Sequence, residues 1–231
     1  MSIGNRIFLR RNLPSKKLVD SFRQLPAANV ADCMGRSCAM NPSIRLMSSP
    51  KEFMCGVAIT VKARAGDNLF IHQALEMAEK GDVIVVSTGF GSPNSLIGEI
   101  IIANAQFKKL AGIVMDAPIR DIDSISKSDF SVYSTGHTPG GPYKDGPGEI
   151  NVPISCGGIS VNPGDIILGD YDGVIVIPRI NAETILKASI PFSVKDSEKL
   201  SKSSNGTWDH TWVMKKLTEN KVEIIDDCYQ I

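Results

Sequence analysis

Gly81-Asp82-Val83-Ile84-Val85-Val86-Ser87 and Gly112-Ile113-Val114-Met115-Asp116 are short β-branched runs, each opened by glycine and closed by a polar residue. Runs of this length and composition are strands buried on both faces, as a parallel sheet requires. Between them lie a loop, Thr88-Gly89-Phe90-Gly91-Ser92-Pro93-Asn94-Ser95, and a stretch over 96–110 with the length and apolar spacing of a helix. The same alternation precedes them. Residues 55–62 contain Gly-Val-Ala-Ile-Thr-Val, a third strand, after which Asp67 offers an N-cap to a helix running towards Lys80 and closed by Gly81. Strand, helix, strand, helix, strand predicts a parallel α/β core, with ligands gathered in the loops after the carboxyl ends of the strands.

The flanks differ from this core. Leu18, Phe22 and Leu25 are spaced for a helix over about 14–24 that stops at Pro26. From Val132 to Pro178, Gly and Pro become dense, and short strands over 159–161, 165–168 and 174–177 predict turns and antiparallel ribbon. Asp170-Tyr171-Asp172-Gly173 is read as an Asp-Gly turn between two of them rather than a cation loop. A helix starts at Asn181, and the polar tail after Asp196 places Trp208 and Trp212 four apart on one face, as a docking surface. With no repeat or linker, residues 1–231 are read as one domain with a helical tail from about 181.

Composition narrows the classes. The 231 residues are 42% hydrophobic and 22% charged, which suits one globular domain and excludes disordered, collagen-like and disulfide-scaffold chains. The 25 Lys and Arg balance 25 Asp and Glu, so no basic surface is expected to collect the phosphates of a nucleic acid. Five cysteines without a C-x-x-C pair, and no apolar leader, predict reduced thiols and a cytoplasmic protein. The apolar runs are far shorter than the roughly 20 residues that span a bilayer, so no membrane role is expected.

Chemistry has two main candidates. The glycine-rich loop ahead of Gly98-Glu99-Ile100-Ile101 is either an anion cradle at a helix start or a plain turn; it lacks the G-x-G-x-x-G and P-loop patterns. Asp116-Ala117-Pro118-Ile119-Arg120-Asp121 follows the last strand. It is either a surface Arg-Asp pair or, beside that cradle, a bidentate donor and a hard oxygen ligand suited to a small keto acid with Mg²⁺ or Mn²⁺. Other residues carry weaker signals. His72, His137 and His210 have no zinc spacing, Cys156 reads as a buried thiol, and Lys62, at a strand end between apolar neighbours, is the lysine best placed for desolvation and imine chemistry. A methyltransferase reading fails for want of a glycine-rich cofactor motif.

Several stretches in this order and spacing resemble the RraA-like family, which includes the 4-hydroxy-4-methyl-2-oxoglutarate and 4-carboxy-4-hydroxy-2-oxoadipate aldolases. They are Ala28-Asn29-Val30-Ala31-Asp32, Ala65-Gly66-Asp67-Asn68, Gly81 to Val86, Gly98-Glu99, Gly112 to Asp116 with Arg120-Asp121, and Pro163-Gly164-Asp165-Ile166 through Gly169 to Pro178. The resemblance implies a layered α/β sandwich with mixed sheets and a swivelling-domain-like topology, assembled as a homotrimer or homohexamer with sites at subunit interfaces. It also implies site roles: backbone N–H groups of Gly98, Glu99, Ile100 and Ile101 for a pyruvyl carboxylate, Arg120 for the keto oxygen, Asp121 for the divalent metal, and Glu99 acting through water. Asp32 and Glu198 are further acidic candidates. Two departures stand out: Ala117-Pro118 where the family often has glycine after the aspartate, and Ser124, with Asp123 one place earlier, at a usually acidic position.

The reading that follows is a metal-dependent lyase, a class II pyruvate aldolase or oxaloacetate decarboxylase, releasing pyruvate from a small 2-keto acid. Its alternative is an RraA-type regulator that binds a ribonuclease or another protein without catalysis.

Overall fold

The computed structural model describes residues 3–89 and 91–229; Phe90, in the glycine-rich loop, and the chain's first two and last two residues lie outside them. The strands are β1 (Arg6–Ile7), β2 (Arg45–Leu46), β3 (Met54–Ala63), β4 (Asp82–Ser87), β5 (Gly112–Met115), β6 (Ser131–Ser134), β7 (Gly148–Ile150), β8 (Ile154–Cys156), β9 (Ile159–Val161), β10 (Ile166–Asp170) and β11 (Gly173–Ile177). The helices are α1 (Lys16–Phe22), α2 (Ala27–Asp32), α3 (Leu69–Met77), α4 (Glu99–Phe107), α5 (Ile122–Ile125), α6 (Ala182–Ser204) and α7 (Thr211–Glu219).

The parallel core is as expected. β3, β4 and β5 pair in parallel, with Ile59 opposite Ile84 and Ile84 opposite Ile113. β6 continues the parallel set, pairing Ile113 with Val132, so the antiparallel ribbon predicted from Val132 starts later than expected. The crossover into β6 is only the short α5, too brief to show a helical period in sequence.

β3 is the longest strand, and it forks the sheet. One edge pairs with β4 from Val57 to Lys62, while the other pairs antiparallel with β10 at its start (Val57 with Ile166) and with β7 at its end (Val61 with Ile150). β10 and β11 form a hairpin whose turn is Tyr171-Asp172; Asp170 Oδ1 accepts from the Asp172 N–H (2.9 Å) and Oδ2 from the Ala27 N–H (2.9 Å). The turn reading of 170–173 therefore holds, and the same carboxylate ties the hairpin to the start of α2.

Period-two alternation in β4 assigns the layers. Ile84 and Val86 pack with Ile71 and Leu75 of α3 and Ile101, Ile102 and Ala105 of α4. Val83 and Val85 face the other way, onto Cys156 and Val161 of the separate β8–β9 hairpin and onto Val174 and Val176. A third cluster joins Val19, Phe22 and Val30 to Ile166, Leu168, Ile175 and Ile177. The result is the layered α/β sandwich with a mixed sheet that the sequence resemblance implied.

An N-terminal strap is pinned to this sandwich by a buried ion pair. The Arg11 guanidinium meets Asp82 at the start of β4 and also donates to Ala58 O (3.1 Å). Contacts divide the chain into one compact unit up to Ser193 and a second from Val194 on. In the second, Trp208 precedes α7 and stacks on His210 at 5.7 Å, whereas Trp212 lies within α7. The two tryptophans therefore do not share a helix face as expected.

Candidate active site

The helix after the glycine-rich loop starts at Glu99, three residues later than expected. Leu96 and Ile97 are buried ahead of the helix, and they zip onto the segment after β5: the Leu96 N–H donates to Pro118 O (3.0 Å) and the Arg120 N–H to Ile97 O (3.0 Å). These two bonds bring the loops after β4 and β5 together, the juxtaposition on which the keto-acid reading depended.

Asp121 sits in the left-handed region, at φ 60°, a conformation aspartate tolerates better than most residues. Its Oδ2 accepts from the Glu99 N–H (3.1 Å) and lies 3.6 Å from Arg120 Nε. Glycine at 98 leaves room for this approach, because a Cβ would collide with Asp121 Oδ2 and stand 3.0 Å from Arg120 Cγ, so one of them would have to shift. One of the amides expected to hold a pyruvyl carboxylate, that of Glu99, is thus engaged by the chain's own carboxylate; the amides of Ile100 and Ile101 remain at the start of α4, where a helix has no internal acceptors for them.

Beside this corner is a cleft of roughly 240 Å³ lined by Asn68, His72, Gly98, Ile100, Ile101, Arg120 and Lys144, among others. Arg120 also borders a second cleft with Asp121 and His137. The Glu99 side chain lines a third, with Gln106 and Ser124. Arg120 and Asp121 have 42% and 36% of their side chains exposed, so both can reach a ligand without being stripped of water beforehand.

At the start of the glycine-rich loop the first amide is already taken from within the chain. Asp116, fully buried just after β5, accepts from the Thr88 N–H (2.6 Å), Thr88 Oγ1 (3.0 Å) and Ser87 Oγ (2.9 Å). The loop is then pinned onward, with the Ser95 N–H donating to Gly140 O (2.9 Å) and Asn94 Nδ2 to Gly141 O (2.5 Å).

A family model described as Aldolase/RraA matches residues 27–176. The chain belongs to the RraA-like family. A protein of Halalkalibacterium halodurans named "Putative 4-hydroxy-4-methyl-2-oxoglutarate aldolase" is 35% identical over 169 residues, 73% of this chain and 80% of that one. Among solved structures, an uncharacterized protein from Pseudomonas syringae pv. tomato superposes with a TM-score of 0.75 at 22% identity, covering 86% of this chain and 97% of the other. Streptomyces coelicolor RraAS2, described as an unusual member of the RNase ES inhibitor RraA protein family, gives 0.72 at 24%, covering 84% and 99%.

In this RraA-like chain the other sequence candidates scatter. Asp32 pairs with Arg36 (2.6 Å) at the end of α2, Asp123 pairs with Lys127 (2.9 Å), and Glu198 is on α6 beyond the matched residues. Lys62, the lysine best placed for desolvation, is not desolvated: its side chain is 63% exposed, 3.8 Å from Glu149, which fits the expectation that it forms no imine. The Cys156 thiol is buried and donates to Val86 O (3.4 Å); desolvation pushes its pKa well above the usual thiol value, which removes it as a nucleophile. Among the described residues no group of three His, Cys, Asp or Glu side chains could enclose a metal ion. None of their helices is long and apolar enough to cross a membrane.

Sequence reasoning missed Asn68, His72 and Lys144 as cleft residues. His72 shows in the sequence only as a zinc-ligand candidate without the spacing, and Lys144 sits in an irregular segment with no periodicity. Asn68 alone carried a signal, since it lies in the Ala65-Gly66-Asp67-Asn68 stretch.

Proposed function

We propose that this cleft is the pyruvyl site of a lyase that releases pyruvate from a 4-hydroxy-2-oxo acid, from oxaloacetate, or from both. The observation that carries the reading is the corner where Asp121 Oδ2 accepts from the Glu99 N–H at the start of α4 and lies 3.6 Å from Arg120, which borders both this cleft and the one that Asp121 lines. A protein-binding module has no use for a guanidinium and a hard carboxylate set together beside free helix amides. The ribonuclease-inhibitor alternative leans on structural likeness at 24% identity, which establishes a fold and no more.

Both reactions pass through one species. In retro-aldol cleavage the C4 hydroxyl loses its proton, C4–O becomes a carbonyl, and the C3–C4 bond breaks with its electron pair left as the enolate of pyruvate. Decarboxylation of oxaloacetate breaks the same bond, releases CO₂ and leaves the same enolate; in each case C3 then takes a proton. Arg120 presents fixed donors where the enolate oxygen gains charge, and the Ile100 and Ile101 amides hold the carboxylate. Glu99 lines a neighbouring cleft rather than this one, so its part in taking the hydroxyl proton runs through water.

Asp121 is the residue that would hold a divalent cation. A single partly exposed carboxylate fits Mg²⁺ or Mn²⁺ with a largely aqueous shell and does not fit an enclosed zinc site. Such an ion supplies Lewis acidity at the keto oxygen.

The test is pyruvate release from a panel of 4-hydroxy-2-oxo acids and oxaloacetate, with and without EDTA. Activity should vanish on chelation, return with Mg²⁺ or Mn²⁺, and be nearly eliminated by Asp121→Asn. Arg120→Lys should lose roughly 10²- to 10³-fold in kcat, because an ammonium cannot reproduce the planar donor pair. Undiminished release in excess EDTA would sink the metal-dependent reading, and a lysine variant keeping a third of the activity would relocate the site.

A further inference from the structure

We infer that Asn68 sets substrate choice at this cleft by accepting a hydrogen bond from a hydroxyl at C4 of the 2-oxo acid, an inference that rests on the pyruvate-lyase reading. Asn68 is 3% exposed and lines the same cleft as Arg120. Its Nδ2 donates to Leu96 O (2.8 Å). A carbonyl can only accept, so this bond fixes the amide: a flip would set two oxygens against each other. The backbone is fixed as well. The Asn68 N–H donates to Tyr143 O (3.0 Å), and its carbonyl accepts from the Ile71 and His72 N–H groups (both 3.1 Å) as α3 begins.

With the amide held this way, Asn68 Oδ1 is left with no donor among the described residues. The other buried side-chain atom in that condition, Asn151 Oδ1, belongs to a residue that does not line this cleft. A buried acceptor without a donor is destabilising, and a ligand that supplies the donor recovers what the fold gives up. Such an acceptor repels carboxylate and keto oxygens and selects for an O–H. Oxaloacetate has no such group at C4, whereas every 4-hydroxy-2-oxo acid has one. A neutral amide cannot take the proton itself, so Asn68 orients the hydroxyl and the proton leaves to a separate base.

The experiment compares pyruvate release from 4-hydroxy-2-oxoglutarate and from oxaloacetate in the wild type, Asn68→Ala and Asn68→Ser. Serine keeps one donor and an acceptor on a shorter stem, so it serves as the intermediate variant. In Asn68→Ala, kcat/KM for the hydroxy acid should fall roughly 10- to 100-fold, with a smaller fall in Asn68→Ser, while oxaloacetate decarboxylation stays within about threefold. Retained decarboxylation also shows that the variant is folded. Parallel loss on both substrates in a variant that melts like the wild type, or no loss on either, overturns the inference. A measurement on the wild type alone bears on the same point: as competitors of oxaloacetate decarboxylation, 4-hydroxy-2-oxoglutarate should bind at least about tenfold tighter than 2-oxoglutarate, which lacks the hydroxyl. Equal competition overturns the inference without any variant. A wild type that releases pyruvate from neither substrate overturns the parent reading instead.

Discussion

Gly98 shows how a missing side chain makes a site. Asp121 Oδ2 sits where a Cβ would be, so the carboxylate can approach the start of α4 and receive the Glu99 N–H. In Gly98→Ala one of the two must move, and a displacement near 1 Å at reacting groups costs about 10²-fold in rate. The expected outcome is that loss in kcat with an unchanged melting curve, measured by steady-state pyruvate release and calorimetry. Full activity in the alanine variant would show that the Asp121 position is not used.

His72 has a different consequence, visible in stability. Burial lowers its pKa below the ordinary 6.5, Lys144 lowers it further, and Glu76 opposes them. Between the lowered value and 6.5 the unfolded chain binds a proton that the folded chain refuses, so stability rises with pH through that window and is lost on acidification below about 6.5. The thermal midpoint should therefore fall between pH 7 and pH 5, and His72→Gln should flatten that slope. Identical pH profiles for the two proteins would remove His72 as the cause.

Among the elements, β4 has its first residue spent on tethering. Asp82 and Arg11 have 8% and 9% of their side chains exposed, and burial raises the Asp82 pKa against the pull of Arg11. Replacing Arg11 with alanine leaves a buried carboxylate without its cation, a change that typically costs about 3–5 kcal/mol. Urea unfolding of Arg11→Ala should show a loss of that order, with the N-terminal strap more readily proteolysed; a loss within about 1 kcal/mol would place the pair among surface bridges. The elements also show what periodicity can and cannot reveal. β4 and β5 occur at the residues expected, because a strand buried on both faces leaves an unbroken apolar run. α4 is shorter than its apolar pattern, because Leu96 and Ile97 are buried by pairing with 118–120 rather than by helix packing, and hydropathy does not distinguish the two.

For the molecule as a whole, the outer face of α4 points to self-assembly. Ile100 and Phe107 are 76% and 87% exposed, seven residues apart on one helix face with Ala103 between them, and Ile100 is also a wall of the cleft. We expect three or six chains in solution, read by light scattering, and a smaller species with weakened pyruvate release for Phe107→Asp. A fully active wild-type monomer would contradict this.

The sequence by itself determined the parallel α/β core, the hairpin turn at Tyr171-Asp172, and the pairing of Arg120 with Asp121, since each is written in consecutive residues through local propensity and period. It also marked Gly98 and Glu99, through a family likeness that spans most of the chain. Only the tertiary structure decided that Asp116 takes the Thr88 amide at the start of the glycine-rich loop, that β3 forks the sheet, and that Asn68, His72 and Lys144 border the cleft that Arg120 enters. These depend on contacts between residues far apart in the chain. Such contacts form when strands register and loops close, and nothing in the local order of side chains encodes which distant backbone oxygen, such as Leu96 O for Asn68, will turn an ordinary polar residue into one with a free acceptor.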